Sequence, residues 1–161
     1  RFASVADTLV EQYGAKIIFI DSPANRARAT ETARLMRHGE SVALATDFSL
    51  EELPSLIQQL HAFIAVDTGA IYIAHALGVP LIDIIGPVHP DEQPPQDELS
   101  IQVRPAPGIA PTSFVLAGQT RNGNHAEAVL SITVPQVLAA FAVLLSRGLV
   151  PVPRQSHGPH S

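Results

Sequence analysis

The 161-residue sequence contains no cysteine, few aromatic residues (5%) and a modest excess of acidic over basic side chains. Without cysteine there is no disulfide, no thiolate metal site and no cysteine nucleophile, although the cellular compartment stays open. The net charge of −5 and the lack of any lysine or arginine cluster argue against a nucleic-acid-binding face. The scarcity of aromatic rings also removes a platform for stacking bases. We therefore expect no nucleic-acid partner.

No apolar run reaches the roughly 18 residues that would span a bilayer. The first 14 residues predict an amphipathic helix rather than a secretory signal, which favours a soluble, intracellular protein. Hydrophobic residues make up 46% of the chain and charged residues only 16%, with a mean hydropathy of +0.20. This is more apolar surface than the length requires, so part of it is expected to meet another domain.

The seven histidines do not form a metal-binding pattern. They show neither the paired i, i+4 spacing nor the carboxylate spacing typical of a zinc site, and the sequence therefore predicts no metal ion. The residues in question are His38, His61, His75, His89, His125, His157 and His160.

Helical and extended patterns alternate through the first half of the chain. The predicted helices cover residues 2–13, 24–37, 49–60 and 70–77, and the predicted strands cover residues 16–20, 42–45, 63–66 and 81–85. Such alternation is typical of an α/β fold, a Rossmann-like parallel sheet with helices on both faces. We predict one such domain over residues 1–148. A doubly wound domain normally opens with a strand and this sequence opens on a helix, so we expect the first strand to be absent from these residues.

The second half of the chain is irregular because it is rich in proline, which central strands and helix interiors do not accommodate. Within it we predict a short edge strand near residues 100–104 and a polar loop over residues 118–125. A last helix is expected to begin after Thr133, its N-cap, and to end near Gly148. Residues 149–161 are rich in proline, serine and histidine and are predicted to be an unstructured tail.

The segment from residue 63 to residue 90 is the candidate site. It reads as strand, turn, helix and strand, so that Asp67-Thr68-Gly69 and Gly86-Pro87 follow two neighbouring strands. Ligands of open parallel sheets bind at that edge, and the first amides of a helix attract anions. The tripeptide alone is also compatible with a plain capped turn. Asp83, in contrast, interrupts the second apolar strand, where a carboxylate is costly unless it has a partner.

A longer pattern narrows the interpretation. The sequence D-T-G-x-x-Y-x-A-x-A-L-G-x-P, followed by I-I-G-P-x-x-P, resembles the carboxyl-terminal signature of glycosyltransferase family 9, the bacterial lipopolysaccharide heptosyltransferases. The matching positions are Asp67, Thr68, Gly69, Ala74, Ala76, Leu77, Gly78, Pro80, Gly86, Pro87 and Pro90. The stretches at 1–9, 49–60 and 132–145 also resemble helices of that family.

The resemblance implies the carboxyl-terminal, donor-binding half of a GT-B glycosyltransferase, which has two Rossmann-like domains. In this reading the backbone of Thr68 and Gly69 holds the donor diphosphate and Asp67 contacts the sugar or phosphate. The loop from Thr46 to Ser49 lines the base pocket. The implied donor-binding set also includes Tyr72, Gly86, Pro87 and His89.

The implied reaction moves a heptose from a nucleotide-activated donor, ADP-heptose, to a lipopolysaccharide core acceptor. No cofactor and no metal are implied, and the donor is a substrate. The acceptor and the general base would belong to an amino-terminal domain, so residues 1–161 alone are not expected to transfer a sugar. The implied location is cytoplasmic, with peripheral contact to the inner membrane.

Two positions depart from the family pattern. Tyr72 stands where the family has histidine, and a phenol cannot carry positive charge at neutral pH. Val88 stands where the family has threonine. An alternative is therefore a degenerate, non-catalytic glycosyltransferase-like binding module. A sugar-nucleotide epimerase, which shares the GT-B architecture, is a third reading, and fold analogy does not decide between them.

Overall fold

The computed structural model describes residues 1–92, 95–114, 116–120, 123 and 125–151. The chain divides into two compact units, Arg1–Phe48 and Ser49–Val150. The helices are α1 (Phe2–Tyr13), α2 (Arg26–Arg34), α3 (Leu53–Ile57), α4 (Gly69–Ala76), α5 (His125–Ser131) and α6 (Val134–Ser146). The strands are β1 (Ile17–Ile20), β2 (Val42–Ala45), β3 (Phe63–Val66), β4 (Leu81–Ile84), β5 (Ser100–Val103), β6 (Ser113–Phe114) and β7 (Gln119–Thr120). Most of the predicted tail, from residue 152 onward, lies outside the described residues.

The first unit is built on a helix and a pair of parallel strands. Helix α1 ends at Gly14, which adopts a left-handed conformation (φ 62°) that glycine reaches without steric cost. β1 pairs with β2 in parallel, with Ile17 opposite Val42. A small cluster of Ala3, Ala6 and Met36 forms a core against which Ile17, Phe19 and Val42 pack, together with Val10. The predicted strand at 42–45 is thus confirmed to the residue.

The β1–β2 pair leaves apolar side chains in solvent. Ile18 is 38% exposed and Leu44 is 42% exposed. Among the described residues, β1 and β2 hydrogen-bond only to each other as strands.

Asp7 is a buried carboxylate that joins α1 to the segment after α2. Its side chain is 6% exposed, and Oδ1 accepts the backbone N–H groups of Arg37 (2.9 Å) and His38 (3.2 Å). Burial by itself raises the pKa of Asp7, but these hydrogen bonds and the nearby charges of Arg37 and His38 outweigh it, and the pKa is lowered.

Replacing Asp7 with alanine is expected to lower the free energy of unfolding by about 2 kcal/mol, because two partly buried N–H groups lose a charged acceptor. Since the folded-state pKa is depressed, this stabilisation exists above the unfolded pKa near 3.8 and is lost as the pH falls through the folded value. Denaturant unfolding at pH 7 and at acid pH measures both effects. Glu31→Ala, at a side chain that is 64% exposed, is the control. Equal losses in the two variants at pH 7 would contradict the assignment.

The second unit contains a three-stranded parallel sheet in the order β3-β4-β5. In register, Phe63 lies opposite Leu81, and Leu81 opposite Ser100. Helix α4 packs on β3 and β4, and helix α6 packs on β4 and β5. The largest fully buried apolar side chains among the described residues are Ile57, Ile71, Leu81, Ile82, Ile85 and Leu144. Parallel strands joined through helices confirm the predicted α/β class.

Helix α3 is shorter than the helix predicted at 49–60, and the prediction is wrong at both ends. The backbone N–H of Ser49 does donate to Glu52 Oε2 at 2.7 Å, as a capping box requires. The N–H of Glu52, however, bonds to the Ser49 carbonyl three residues back, and Leu60 likewise bonds to Ile57. These tight i−3 turns flank the α-helix and limit it to Leu53–Ile57.

The final helix begins as predicted. Thr133 is the N-cap of α6, and its backbone N–H donates to Gln136 Oε1 at 2.7 Å. Within the described residues no single helix is long and apolar enough to cross a membrane, whereas α5 and α6, which meet at 58°, reach that length and composition when counted together.

Candidate functional site

The turn between β3 and α4 presents the start of a helix to solvent. Thr68 is the N-cap of α4, in an extended conformation (φ −150°, ψ 165°), and its side chain caps no amide of the first turn. Both Thr68 and Gly69 are exposed. The N-terminal amides of α4 and the positive end of its dipole are therefore available to an anion.

Gly69 keeps the space beside this turn open. A Cβ atom built at Gly69 would meet no heavy atom of the described residues within 4 Å, and its φ is not positive. Neither packing against the described residues nor backbone conformation requires glycine here. A residue without a side chain at this place allows a ligand to approach the backbone closely.

The second predicted glycine, Gly86, is explained differently. A Cβ at Gly86 would lie 3.2 Å from Val129 Cγ2, which is tighter than ordinary van der Waals contact. Helix α5 thus packs directly on the loop after β4. Pro87 follows, and its carbonyl accepts the N–H groups of both Thr112 (2.9 Å) and Ser113 (3.0 Å).

His89 is half-buried in the same loop. Its backbone N–H donates to the Ser113 carbonyl at 2.9 Å, and its ring lies 5.4 Å from the ring of Phe114. The N–H of Asp91 approaches His89 Nδ1 at 3.3 Å, which leaves Nε2 as the nitrogen that can donate. The segment 112–114 therefore holds the loop that contains Gly86, Pro87 and His89, a contact that the sequence did not predict.

The turn lies in a negative environment. Burial raises the pKa of Asp67. Burial, and then the charges of Asp67 and Asp83, raise the pKa of Tyr72, whose side chain is neutral at pH 7 and 43% exposed. Burial and the charge of Asp67 raise the pKa of Asp83 to about 7. Asp67, Tyr72 and Asp83 are thus close enough to interact electrostatically.

Thr46 and Ser49 belong to different units. Thr46 is buried (4% exposed) after β2 in the first unit, and Ser49 is exposed at the beginning of the second unit. The other predicted donor-binding residues all lie in the second unit, in the two loops that follow β3 and β4 and in α4.

His75 connects α4 to the segment before β5. Its Nε2 lies 2.5 Å from Asp97 Oδ2, and Asp97 Oδ1 accepts the N–H of Leu99. The hydrogen bond from His75 is the main reason that the pKa of Asp97 is lowered. His75 is therefore a helix residue with a structural partner. The sequence carried no signal for this pair, because its members are 22 positions apart.

A family model described as glycosyltransferase family 9 (heptosyltransferase) matches residues 1–112. This chain belongs to glycosyltransferase family 9. The matched range includes the β3–α4 turn and the loop after β4, where the signature was recognised. The predicted family is confirmed.

Curated relatives of this family 9 chain include lipopolysaccharide heptosyltransferase 2 from two bacteria. The Salmonella typhimurium protein is 28% identical over 149 residues, which are 91% of this chain and 41% of the relative. The Escherichia coli protein is 26% identical over 148 residues, which are 90% of this chain and 41% of the relative. The family 9 chain thus spans about two fifths of the length of these relatives.

Two solved structures share the fold of the family 9 chain. ADP-heptose lipopolysaccharide heptosyltransferase II of E. coli superposes with a TM-score of 0.71 at 22% identity, over 91% of this chain and 41% of that one. A family 9 glycosyl transferase from Veillonella parvula superposes with a TM-score of 0.72 at 23% identity. The match covers 90% of this chain and 40% of that one. These likenesses confirm the α/β fold and agree with the predicted GT-B description.

Proposed function

We propose that this chain is the donor-binding part of a heptosyltransferase that moves a heptose from ADP-heptose to a lipopolysaccharide core acceptor. The observation that carries the proposal is the exposed start of α4 beside Gly69, at the carboxyl edge of a parallel sheet. This arrangement suits a diphosphate, because amide donors and the helix dipole stabilise charge on a departing nucleotide.

In this proposal Thr68 and Gly69 bind the diphosphate through their amides, and Asp67 contacts the sugar or phosphate. Tyr72 and His89 line the donor site from α4 and from the loop after β4. Gly86 and Pro87 act indirectly, because their contacts to Val129 and to Thr112 fix that loop. Thr46 and Ser49, which belong to different units, are assigned to the base pocket by the family resemblance alone.

This chain matches only 41% of the length of the curated relatives. In this proposal the general base belongs to a region that corresponds to the rest of their length. The lipopolysaccharide acceptor and the peripheral contact with the inner membrane are assigned to that part as well. The donor is a substrate, and neither a cofactor nor a metal is proposed.

Tyr72 supports a second candidate, a binding module that holds a nucleotide sugar without transfer. The phenol faces the charges of Asp67 and Asp83 and offers no positive charge in return. Calorimetry with ADP, UDP and ADP-glucose measures nucleotide binding, and a heptose-transfer assay is made on the full-length protein, because residues 1–161 alone are not expected to transfer a sugar. Binding of ADP compounds with heptose transfer supports the enzyme, binding without transfer supports the module, and no nucleotide binding contradicts both.

Replacing Tyr72 with histidine is expected to tighten ADP-glucose binding about fivefold at pH 6, because an imidazolium adds an attractive charge near the diphosphate. The gain should fade toward pH 8 as the imidazole loses its proton. Calorimetric titrations at both pH values measure the change. Tyr72→Phe removes the hydroxyl without adding charge and should show no such pH-dependent gain. Equal behaviour of the histidine and phenylalanine variants would place the diphosphate away from this side chain.

A further inference from the structure

Asp83 lies in the middle of the central strand of the second unit. Its residue is 1% exposed, and Oδ1 has no hydrogen-bond partner in the described part of the chain. A buried carboxylate without a partner is strongly disfavoured in its ionised form. The donor function proposed above assigns no task to this residue.

The strand register brings Asp83 close to the donor turn. Asp83 lies opposite Ala65 of β3, so the two side chains are on the same face of the sheet. Asp67 is two residues beyond Ala65 and therefore shares that face. Its backbone N–H donates to the carbonyl of Ile84 at 3.3 Å, which keeps the two strands paired up to this point. Asp67 and Asp83 are thus diagonal neighbours.

No positive charge on the helices that cover the sheet compensates for this pair. On α4, Tyr72 is a neutral phenol, and the imidazole of His75 is engaged with Asp97 at 2.5 Å. Helix α6 contains no titratable residue between positions 134 and 146.

The neighbouring strand β5 offers an amide and a guanidinium that have other partners. Gln102 lies opposite Asp83, but its Nε2 donates to the Pro90 carbonyl at 3.1 Å. Arg104 donates to Gln102 Oε1 at 2.8 and 3.1 Å, and its guanidinium lies 3.8 Å from Asp91. Burial and the negative charge of Asp67 accordingly raise the pKa of Asp83 to about 7.

We propose that Asp83 is a positioning residue of the donor site: its carboxyl group carries a proton that limits the pair with Asp67 to one negative charge, and a nucleotide diphosphate binds when that proton is present. The pH-dependent binding of the diphosphate rests on the proposed donor function. The physical reason is that a second carboxylate beside the turn would repel the diphosphate through a poorly screened interior.

The first test needs no ligand. A carboxyl whose pKa is raised by folding stabilises the fold below its unfolded pKa near 3.8, and this contribution is lost as the pH rises to about 7. Between pH 3.8 and about pH 7, the folded-to-unfolded ratio of the wild type should therefore fall by up to about tenfold per pH unit when it is compared with that of Asp83→Asn. Denaturant unfolding between pH 4 and pH 8 measures it, with Asp91→Asn, at an exposed carboxylate, as the control. If the free energy of unfolding changes with pH in the same way for the wild type and Asp83→Asn, the proposal that Asp83 carries a proton is wrong.

If Asp83→Asn does not fold, the carboxyl ¹³C shift of Asp83 in the wild type, titrated by NMR, answers the same question. A midpoint near 7 supports the proposal, and a midpoint near 4 overturns it.

The second test uses ADP-glucose, whose two phosphates each keep one charge throughout this range. The affinity of the wild type should fall about tenfold from pH 6 to pH 8.5, while Asp83→Asn should bind equally at both. Equal pH dependence in the two proteins would overturn the role of Asp83 and leave the donor function in place. A different result is that neither protein binds at any pH while the stability of the wild type still shows the pH dependence caused by Asp83. The donor function and the pH-dependent binding are then wrong, and the protonation of Asp83 is still supported.

Discussion

A Gly69→Asp variant is expected to bind ADP-glucose at least about 100-fold more weakly than the wild type while remaining folded. The new carboxylate would lie at the first position of α4, where the proposed diphosphate binds and where like charges repel. Folding should not suffer, because a Cβ at this position meets no atom of the described part of the chain within 4 Å. An acidic side chain in the first turn also interacts favourably with the helix dipole. Calorimetry and thermal unfolding of the same samples measure the two effects.

Gly69→Asn is the matched control, since asparagine has the size of aspartate without its charge. It should lose affinity by a smaller factor than Gly69→Asp, and the difference should shrink in high salt. Equal affinities of the two variants would mean that the diphosphate does not bind at the start of α4.

The largest loss of stability is expected for Leu144→Ala. Leu144 is fully buried in α6, which packs on β4 and β5, and truncation leaves a cavity in that core. Leucine-to-alanine changes at such positions cost about 3 kcal/mol. Denaturant unfolding monitored by circular dichroism gives the value.

Leu130→Ala provides the control for helix propensity, because it makes the same exchange in α5 at a residue that is 62% exposed. Its effect should stay within about 0.5 kcal/mol. A Leu144→Ala loss no larger than that of Leu130→Ala would contradict the packing of α6 against the sheet.

The sequence predicted the strands and helices α1, α4 and α6 well because their signals are local, whereas α2 is shorter than the helix predicted at 24–37. β2 and β3 are short apolar runs with turn residues on both sides, and both were predicted to the residue. Helix α1 has an apolar stripe and a terminal glycine. Thr133 similarly marks the start of α6.

Elements that depend on distant partners escaped prediction. β6 and β7 have two residues each, too few for a periodic pattern, and they depend on distant partners: the two pair with each other, and Ser113 of β6 also bridges to Val88. Helix α5 begins at His125, at the end of a segment so polar that it was predicted as a loop. Residues 121, 122 and 124 of that loop lie outside the described residues.

The candidate site was predicted in part for the same reason. Asp67, Thr68 and Gly69 are consecutive, so their pattern is visible in the sequence. The reason for Gly86, its close approach to Val129, joins positions 43 residues apart and becomes visible only in three dimensions. The sequence shows that a carboxylate at position 83 interrupts an apolar strand, where its burial is energetically unfavourable. Its position beside Asp67, in contrast, depends on the strand register.

The β1–β2 pair has a practical consequence for handling the protein. Each of its strands has an edge that no described strand covers, and Ile18 and Leu44 are exposed. Unpaired edges with apolar side chains are templates for intermolecular strand addition, and the net charge of −5 gives only moderate colloidal protection. Samples of these 161 residues should therefore aggregate through this pair as concentration rises, and lysine at position 18 or 44 is the change to try first for crystallisation or NMR.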